Sequence, residues 1–316
     1  MTTAIRKTRL APSPTGALHL GNARTFLINW AMARQNNWQI VLRIDDLDGP
    51  RIKPGADQQA IEILSWLGMD WDEGPYYQTA SIDRYEMQLQ RLLASNQIYP
   101  CACTRTEIQA ASQSAPQEGT HEIRYPGTCR TQSMATNRNG IVNSGHGWRI
   151  KTNDQAVFFV DHLAGPQNCF PHQEVGDFLV VTKQRTPSYQ FSVVVDDHVQ
   201  GVTDVVRGDD LLTSTARQLL VYRALEFEPL PTYWHLPIVV GPDGRRLAKR
   251  HGDSRIAHYQ KDGIRAERIV GLVAYWSGLG VRTEMSAAEF ATWFDIQRVS
   301  PEKIVFSAAD EAWLQG

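Results

Sequence analysis

The stretch "RLAPSPTGALHLGNART", Arg9 to Thr25, decides how the rest of the chain is read. It begins inside KTRLA (Lys7–Ala11), a short run that reads as a first strand. Pro12 and Pro14 stop that strand, because proline cannot donate to a sheet ladder. From Asn22 the segment NARTFLINWAMARQNN reads as a helix, with Asn22 as its N-cap. Between strand and helix lie Gly16, a lone His19 and Gly21. A helix start carries unpaired N–H groups and partial positive charge, and so attracts phosphate. Gly21 lets a flat ligand approach the backbone. His19 can donate to a phosphate oxygen, more strongly as charge builds up in a transition state. Taken alone, the same residues also suit a plain turn with a satisfied histidine.

Working outward, WQIVLRI (Trp38–Ile44) is an apolar run suited to a buried parallel strand. GADQQAIEILSWLGM sets Ala60, Ile61, Leu64 and Leu67 on one helical face, and Gly68 ends it. Residues 81–97 form another such helix, with Ser81 as candidate cap. This alternation predicts a doubly wound α/β domain. Residues 104–147 are polar and poor in large apolar groups, so they read as loops held by something other than a core. AVFFVDHL and DFLVVTK read as short strands. The α/β pattern resumes at SYQFSVVV, where FSVVV reads as a buried strand; TSTARQLLVYRAL follows as a helix capped by Thr213 or Ser214. Helices are expected near Ile269–Ser277 and Ala287–Phe294.

The chain has 316 residues, enough for two domains or one with a large insertion. Its net charge is -2, so any nucleic-acid contact must come from a local patch. No apolar stretch approaches the ~18 residues of a membrane span. The N-terminus has no apolar h-region, so no export signal is read and a cytoplasmic protein is expected. Without export, the four cysteines do not suggest a disulfide framework. Cys101, Cys103 and Cys129 lie close together and point instead to a metal site; Cys169 reads as an apolar filler.

Far downstream, GRRLAKRHGD (Gly244–Asp253) is a basic loop with glycine hinges, suited to a polyphosphate or simply to solvent. Together, "HLGN" after "APSPTG" and "RLAKR" resemble the two signatures of class I aminoacyl-tRNA synthetases, usually written HIGH and KMSKS. "VLRIDDLD", "WDEGPYYQT", "VVVDDHVQGVTDVVRGDD" and "LAKRHG" narrow the resemblance to the glutamyl branch, over about residues 8–255. It implies a Rossmann-like nucleotide-binding domain with an α+β, zinc-containing insertion and a short helical C-terminal region. The corresponding divisions are 1–98 and 188–236 for the catalytic halves, 99–187 for the insertion, and 237–316 for the KMSKS-like loop and helical stem-contact region.

The resemblance also implies the chemistry. Glutamate and ATP form glutamyl-adenylate, and the glutamyl group passes to RNA by positioning and charge stabilisation. His19, Gly21 and Asn22 would serve the ATP side with Arg246 and Lys249, where the serine of KMSKS is replaced by Ala248. Lys249 would stabilise the pyrophosphate. Arg9 and Arg207 would bind carboxylates, Ser13 and Tyr189 would supply hydroxyls, and Leu10, Ala11 and Pro12 would complete the glutamate pocket. Asp45 stands where the family has a glutamate for the ammonium group. From the residues alone, Tyr189 also suits a core aromatic, and Arg207 an ion pair with Asp209 or Asp210.

Cys101, Cys103, Tyr125 and Cys129 match the Cys-x-Cys…Tyr-x-x-x-Cys pattern of the short glutamyl-queuosine tRNA(Asp) synthetases, with His121 as the alternative fourth ligand to Tyr125. The expected cofactors are structural Zn2+ and ATP with Mg2+. The C-terminal region after the KMSKS-like loop is too short for anticodon-reading domains. That favours glutamylation of queuosine in tRNA(Asp) over charging of tRNA(Glu) by a truncated glutamyl-tRNA synthetase, or binding by a non-catalytic paralogue. L-glutamate, ATP and queuosine-bearing tRNA(Asp) are the expected partners of a monomer that contacts no membrane.

Overall fold

The chain runs β1 (Lys7–Leu10), α1 (Leu20–Gln35), β2 (Gln39–Ile44), α2 (Ala56–Trp66), β3 (Glu73–Tyr77), α3 (Ile82–Ala94) and β4 (Ile98–Cys101). It continues through α4 (Arg105–Ala111), β5 (Gly147–Ile150), β6 (Val157–Asp161), β7 (Gly165–Cys169), α5 (Pro171–Glu174) and β8 (Phe178–Val181). There follow α6 (Tyr189–Val199), β9 (Asp204–Gly208), α7 (Leu212–Leu225), β10 (Thr232–Leu236) and β11 (Val239–Val240). The chain closes with α8 (Ile256–Lys261), α9 (Ala266–Trp276), α10 (Ala287–Trp293), β12 (Ile304–Val305) and α11 (Ala308–Gln315). The structure is a computed structural model and describes residues 5–111, 123–131, 145–245, 247 and 254–316.

β1, β2 and β3 pair in parallel, and β9, β10 and β6 do the same, with β7 antiparallel at the outer edge. The two sheets meet along β1 and β9, where the Thr203 N–H donates to the Lys7 carbonyl at 2.8 Å. Arg6 pairs with Asp204 at the same seam. From it the chain winds outward in both directions, β1 to β2 on one side and β9 to β10 on the other. Right-handed crossovers therefore set α1 and α7 on opposite faces and leave a crevice at the strands' C-terminal ends.

The largest core packs α1, α2, α9 and α10 around β1 and β2, with Leu10, Leu27, Ile28, Ile40, Leu64 and Phe290 fully enclosed. A second core lies under α3, α6 and α7. A separate antiparallel sheet, β4–β5–β8, carries the cysteine-rich segment.

Three local expectations change. FSVVV is not a strand but the middle of α6, with Phe191, Val193, Val194 and Val195 all buried. A short apolar run suits a buried helix as well as a strand, and packing against α3 and α7 decides here. The true strand is β9, a few residues later. α1 begins three residues earlier than expected, with His19 rather than Asn22 as N-cap; Asn22 reaches back instead, its Oδ1 accepting the His19 N–H at 3.2 Å. Leu211, the last residue of a 3-10 turn, takes the cap position of α7 in place of Thr213 or Ser214.

Gly271, inside α9, shows packing overriding propensity. Alanine normally stabilises a helix interior over glycine by about 1 kcal/mol. Here an added Cβ would lie 1.9 Å from the Thr283 carbonyl oxygen. Gly271→Ala should therefore destabilise the protein, by about 1–3 kcal/mol in urea or thermal unfolding. A gain in stability would show that the 283–284 segment gives way freely.

Candidate active site

The crevice at the β1–β9 seam is a cleft of ≈ 1020 Å³. At the end of β1, Leu10 turns into the core, while Arg9, Ala11, Pro12 and Ser13 line the cleft. The Pro12 carbonyl accepts the Asp45 N–H at 3.0 Å, which pins the proline turn to the end of β2. His19, Gly21 and Asn22 follow along the same wall. Among the described residues, a Cβ on Gly21 would meet only Val239, at an ordinary 3.6 Å. Internal packing thus does not demand glycine; its missing side chain leaves backbone open to a ligand.

The segment after the basic loop returns to this wall. The Leu20 N–H donates to the Ser254 carbonyl at 3.0 Å, and His19 Nδ1 lies 3.3 Å from the Ser254 hydroxyl. Leu247, within the loop, also lines the cleft. Arg246, Ala248 and Lys249 themselves lie outside the described residues, as does His121.

Arg9 from β1 and Arg207 from β9 both line the cleft. The Arg9 guanidinium donates to the Val206 carbonyl at 3.2 Å. Its Nε sits 3.5 Å from Asp197 and makes no hydrogen bond among the described residues. Arg207 bonds Gln218 at 2.9 Å, Thr215 at 2.8 Å and His235 at 2.9 Å, all neutral acceptors. Among the described residues it forms no ion pair with Asp209 or Asp210, so its charge is not cancelled by a neighbouring carboxylate. Tyr189, at the start of α6, is 40 % exposed and lines the cleft, which rules out a core aromatic.

Beside them lies a buried charge cluster that the sequence did not reveal. Arg43 bonds Asp45 at 2.7 Å and Asp197 at 2.6 Å, with Asp196 at 3.9 Å. Burial alone would lower the Arg43 pKa, but these three carboxylates raise it well above its usual value. Asp196 also accepts from Tyr85 at 2.7 Å and Gln78 at 2.8 Å. Burial raises the Asp45 pKa, against the pull of Arg43. Asp45 lines the cleft, so it faces both Arg43 and any ligand. Its acidic neighbours are legible as "VVVDDHVQ", but only the fold brings them to β2.

The cysteine cluster lies apart, at the end of β4. Sγ atoms of Cys101, Cys103 and Cys129 all lie within 4.8 Å of one another. The Tyr125 hydroxyl is 3.5 Å from Cys101 Sγ and 3.8 Å from Cys103 Sγ. Burial pushes the Cys103 thiol up to about 11, while bonds from Tyr125 and its neighbours hold Cys129 below its ordinary value despite burial. Gly176 lets this knuckle close: its φ is +68°, and a Cβ there would lie 2.3 Å from the Tyr125 carbonyl oxygen. Three thiols and a phenol so disposed suit a tetrahedral thiophilic ion. Cys169 instead packs half-buried against the small core under β6 and β10.

A parallel sheet with its cleft at the switch point, and a histidine–glycine turn at a helix start beside paired arginines, define an α/β enzyme domain of the class that binds anionic ligands there. The chain belongs to the class I tRNA synthetases of the E and Q branch: the family's catalytic-domain model matches residues 6–311. It is 46% identical over 295 residues to a glutamyl-Q tRNA(Asp) synthetase of Rhodopirellula baltica, covering 89% of this chain and 88% of that one. It is 44% identical to one of Symbiobacterium thermophilum, covering 98% of both. A glutamate–tRNA ligase of Desulfosudis oleivorans is 37% identical, and this chain spans 62% of it. Among solved structures, a glutamate tRNA ligase from Elizabethkingia meningosepticum in complex with its amino acid matches with a TM-score of 0.81 at 27% identity; the match covers 98% of this chain and 68% of that one.

Arg43 is the common cation of three carboxylates. Arg43→Met keeps the length of the side chain but strands those charges, and should cost about 3–5 kcal/mol of stability in denaturant unfolding. A loss below about 1 kcal/mol would show that the carboxyls simply take up protons instead.

Proposed function

We infer that this chain activates glutamate with ATP and transfers the glutamyl group to queuosine in the anticodon loop of tRNA(Asp). The single observation that carries the reading is the near full-length match, at 44% to 46% identity, to two glutamyl-Q tRNA(Asp) synthetases. The site chemistry agrees with it. A glutamate carboxylate oxygen attacks the α-phosphorus of ATP, pyrophosphate leaves, and an RNA hydroxyl then displaces AMP from the acyl carbonyl.

In this reading Arg9 and Arg207 hold the substrate's carboxylates. Both are buried guanidinium groups lining one cleft, the setting in which carboxylate bonds are strongest. Ser13 and Tyr189 add hydroxyl contacts, and Ala11 and Pro12 shape the wall. Asp45 takes the ammonium group, supported by its position in the cleft beside other buried acids. His19, Gly21 and Asn22 bind the nucleotide, with Mg2+ accompanying ATP. Arg246 and Lys249 meet the phosphates, Lys249 stabilising the pyrophosphate.

The same reading assigns Zn2+ to Cys101, Cys103, Cys129 and Tyr125. The ion would tie the ends of a core-poor segment together and take no part in adenylation. It also keeps 1–98 and 188–236 as catalytic halves, 99–187 as insertion and 237–316 as loop and stem-contact region. The protein is expected to act as a cytoplasmic monomer. Among the described residues no helix is long and apolar enough to cross a membrane.

Labelled glutamate, ATP and unfractionated tRNA should yield labelled tRNA(Asp), and no label with RNA from hosts lacking queuosine. Label on the 3′ end of tRNA(Glu) would refute the reading. Metal analysis of purified protein should find about one zinc per chain, lost on Cys129→Ser. Less than about half an equivalent would count against the site.

A further inference from the structure

Arg207 is held by a relay that crosses the sheet to β6. Its Nε–H donates to His235 Nε2 at 2.9 Å. A guanidinium keeps its protons and has no acceptor, so His235 Nε2 must be the bare acceptor and the ring proton sits on Nδ1. Nδ1 faces Asp161 Oδ2 at 2.6 Å. Asp161 is fixed in turn: its Oδ1 accepts the N–H groups of Leu163 at 2.9 Å and Ala164 at 2.8 Å. Asp161 and His235 are each 1% exposed and Arg207 5%, so water cannot substitute for a lost partner. Thr215 lies 3.3 Å from the same Nε2 and bonds Arg207 as well. Burial favours the neutral ring, as this relay requires.

We propose that His235 is a positioning residue: held as its Nδ1–H tautomer by Asp161, it aims the Arg207 guanidinium into the cleft and sets the affinity for the amino-acid substrate's carboxylate. The proposal rests on the reading of the cleft as a glutamate site. An acid on β6, at the far side of β10, thereby governs a cation on β9. Hydrogen bonding at one imidazole nitrogen decides what the other can do.

Asp161→Asn tests this with almost no change of shape. The amide oxygen can still accept from Leu163 and Ala164, but the NH2 group then faces His235 Nδ1. That forces the proton to Nε2 and sets it against the Arg207 Nε–H. The glutamate KM in ATP–pyrophosphate exchange should rise about 10- to 100-fold, the scale on which partners of ligand side chains act. The ATP KM should stay within about two-fold. In 15N-histidine NMR the His235 proton should move from Nδ1 to Nε2. His235→Gln, whose carbonyl can accept from Arg207, should keep the glutamate KM within about five-fold, whereas His235→Leu should behave like Asp161→Asn. An unchanged glutamate KM in folded Asp161→Asn overturns the proposal, as does an Nε2–H tautomer in the wild-type protein. Should Asp161→Asn fail to fold, His235→Gln against His235→Leu decides by the same KM. Wild-type protein that shows no glutamate-dependent exchange would instead overturn the functional reading, while the NMR result still reports the tautomer.

Discussion

Everything in the site follows from the seam where β1 lies against β9. Thr203 bonds Lys7 there through the backbone, and Arg6 pairs with Asp204 beside it. Two half-sheets wind away from this line in opposite directions, so no helix covers the ends of the two central strands. Arg9 and Arg207 occupy neighbouring strands near those ends and are forced into one cleft. Residues almost two hundred positions apart line one cleft because β1 and β9 lie against each other.

The seam brings buried charge with it. Arg43, Asp45, Asp196 and Asp197 form one cluster, and Arg207, His235 and Asp161 another. Charged groups withdrawn from water are held only when each has a partner of fitting geometry. The first cluster leaves acid facing the cleft. The second leaves a cation whose bonds all go to neutral acceptors, so its charge stays available to an anionic ligand. The opposed character of the two clusters matches a substrate that carries both an ammonium group and carboxylates.

Much of the fold was legible beforehand, and the reasons are specific. α2 carries a helical period, while β1 and β2 are short runs bounded by turn residues, and Pro12 and Pro14 stop β1. FSVVV failed because a run of five apolar residues has no period; only its neighbours α3 and α7 make it a helix. The cysteines were legible because thiols at close spacing have few other uses in a polar segment. His235 and Asp161 were not, since a lone histidine in "YWHLP" and a lone aspartate in "FFVDHL" carry no pattern. Their pairing needs β6 to lie beside β10.

By itself, then, the sequence determined most of the alternation of strands and helices, the residue types of the histidine–glycine turn, and the set of thiols. Those depend on local geometry and on chemistry intrinsic to each side chain. Tertiary structure alone decided which charges meet: that Asp45 shares Arg43 with two acids from α6, and that Arg207 leans on a histidine fixed by an acid of β6. Electrostatic partnership acts through a few ångströms of low-dielectric interior, and sequence separation says nothing about that distance.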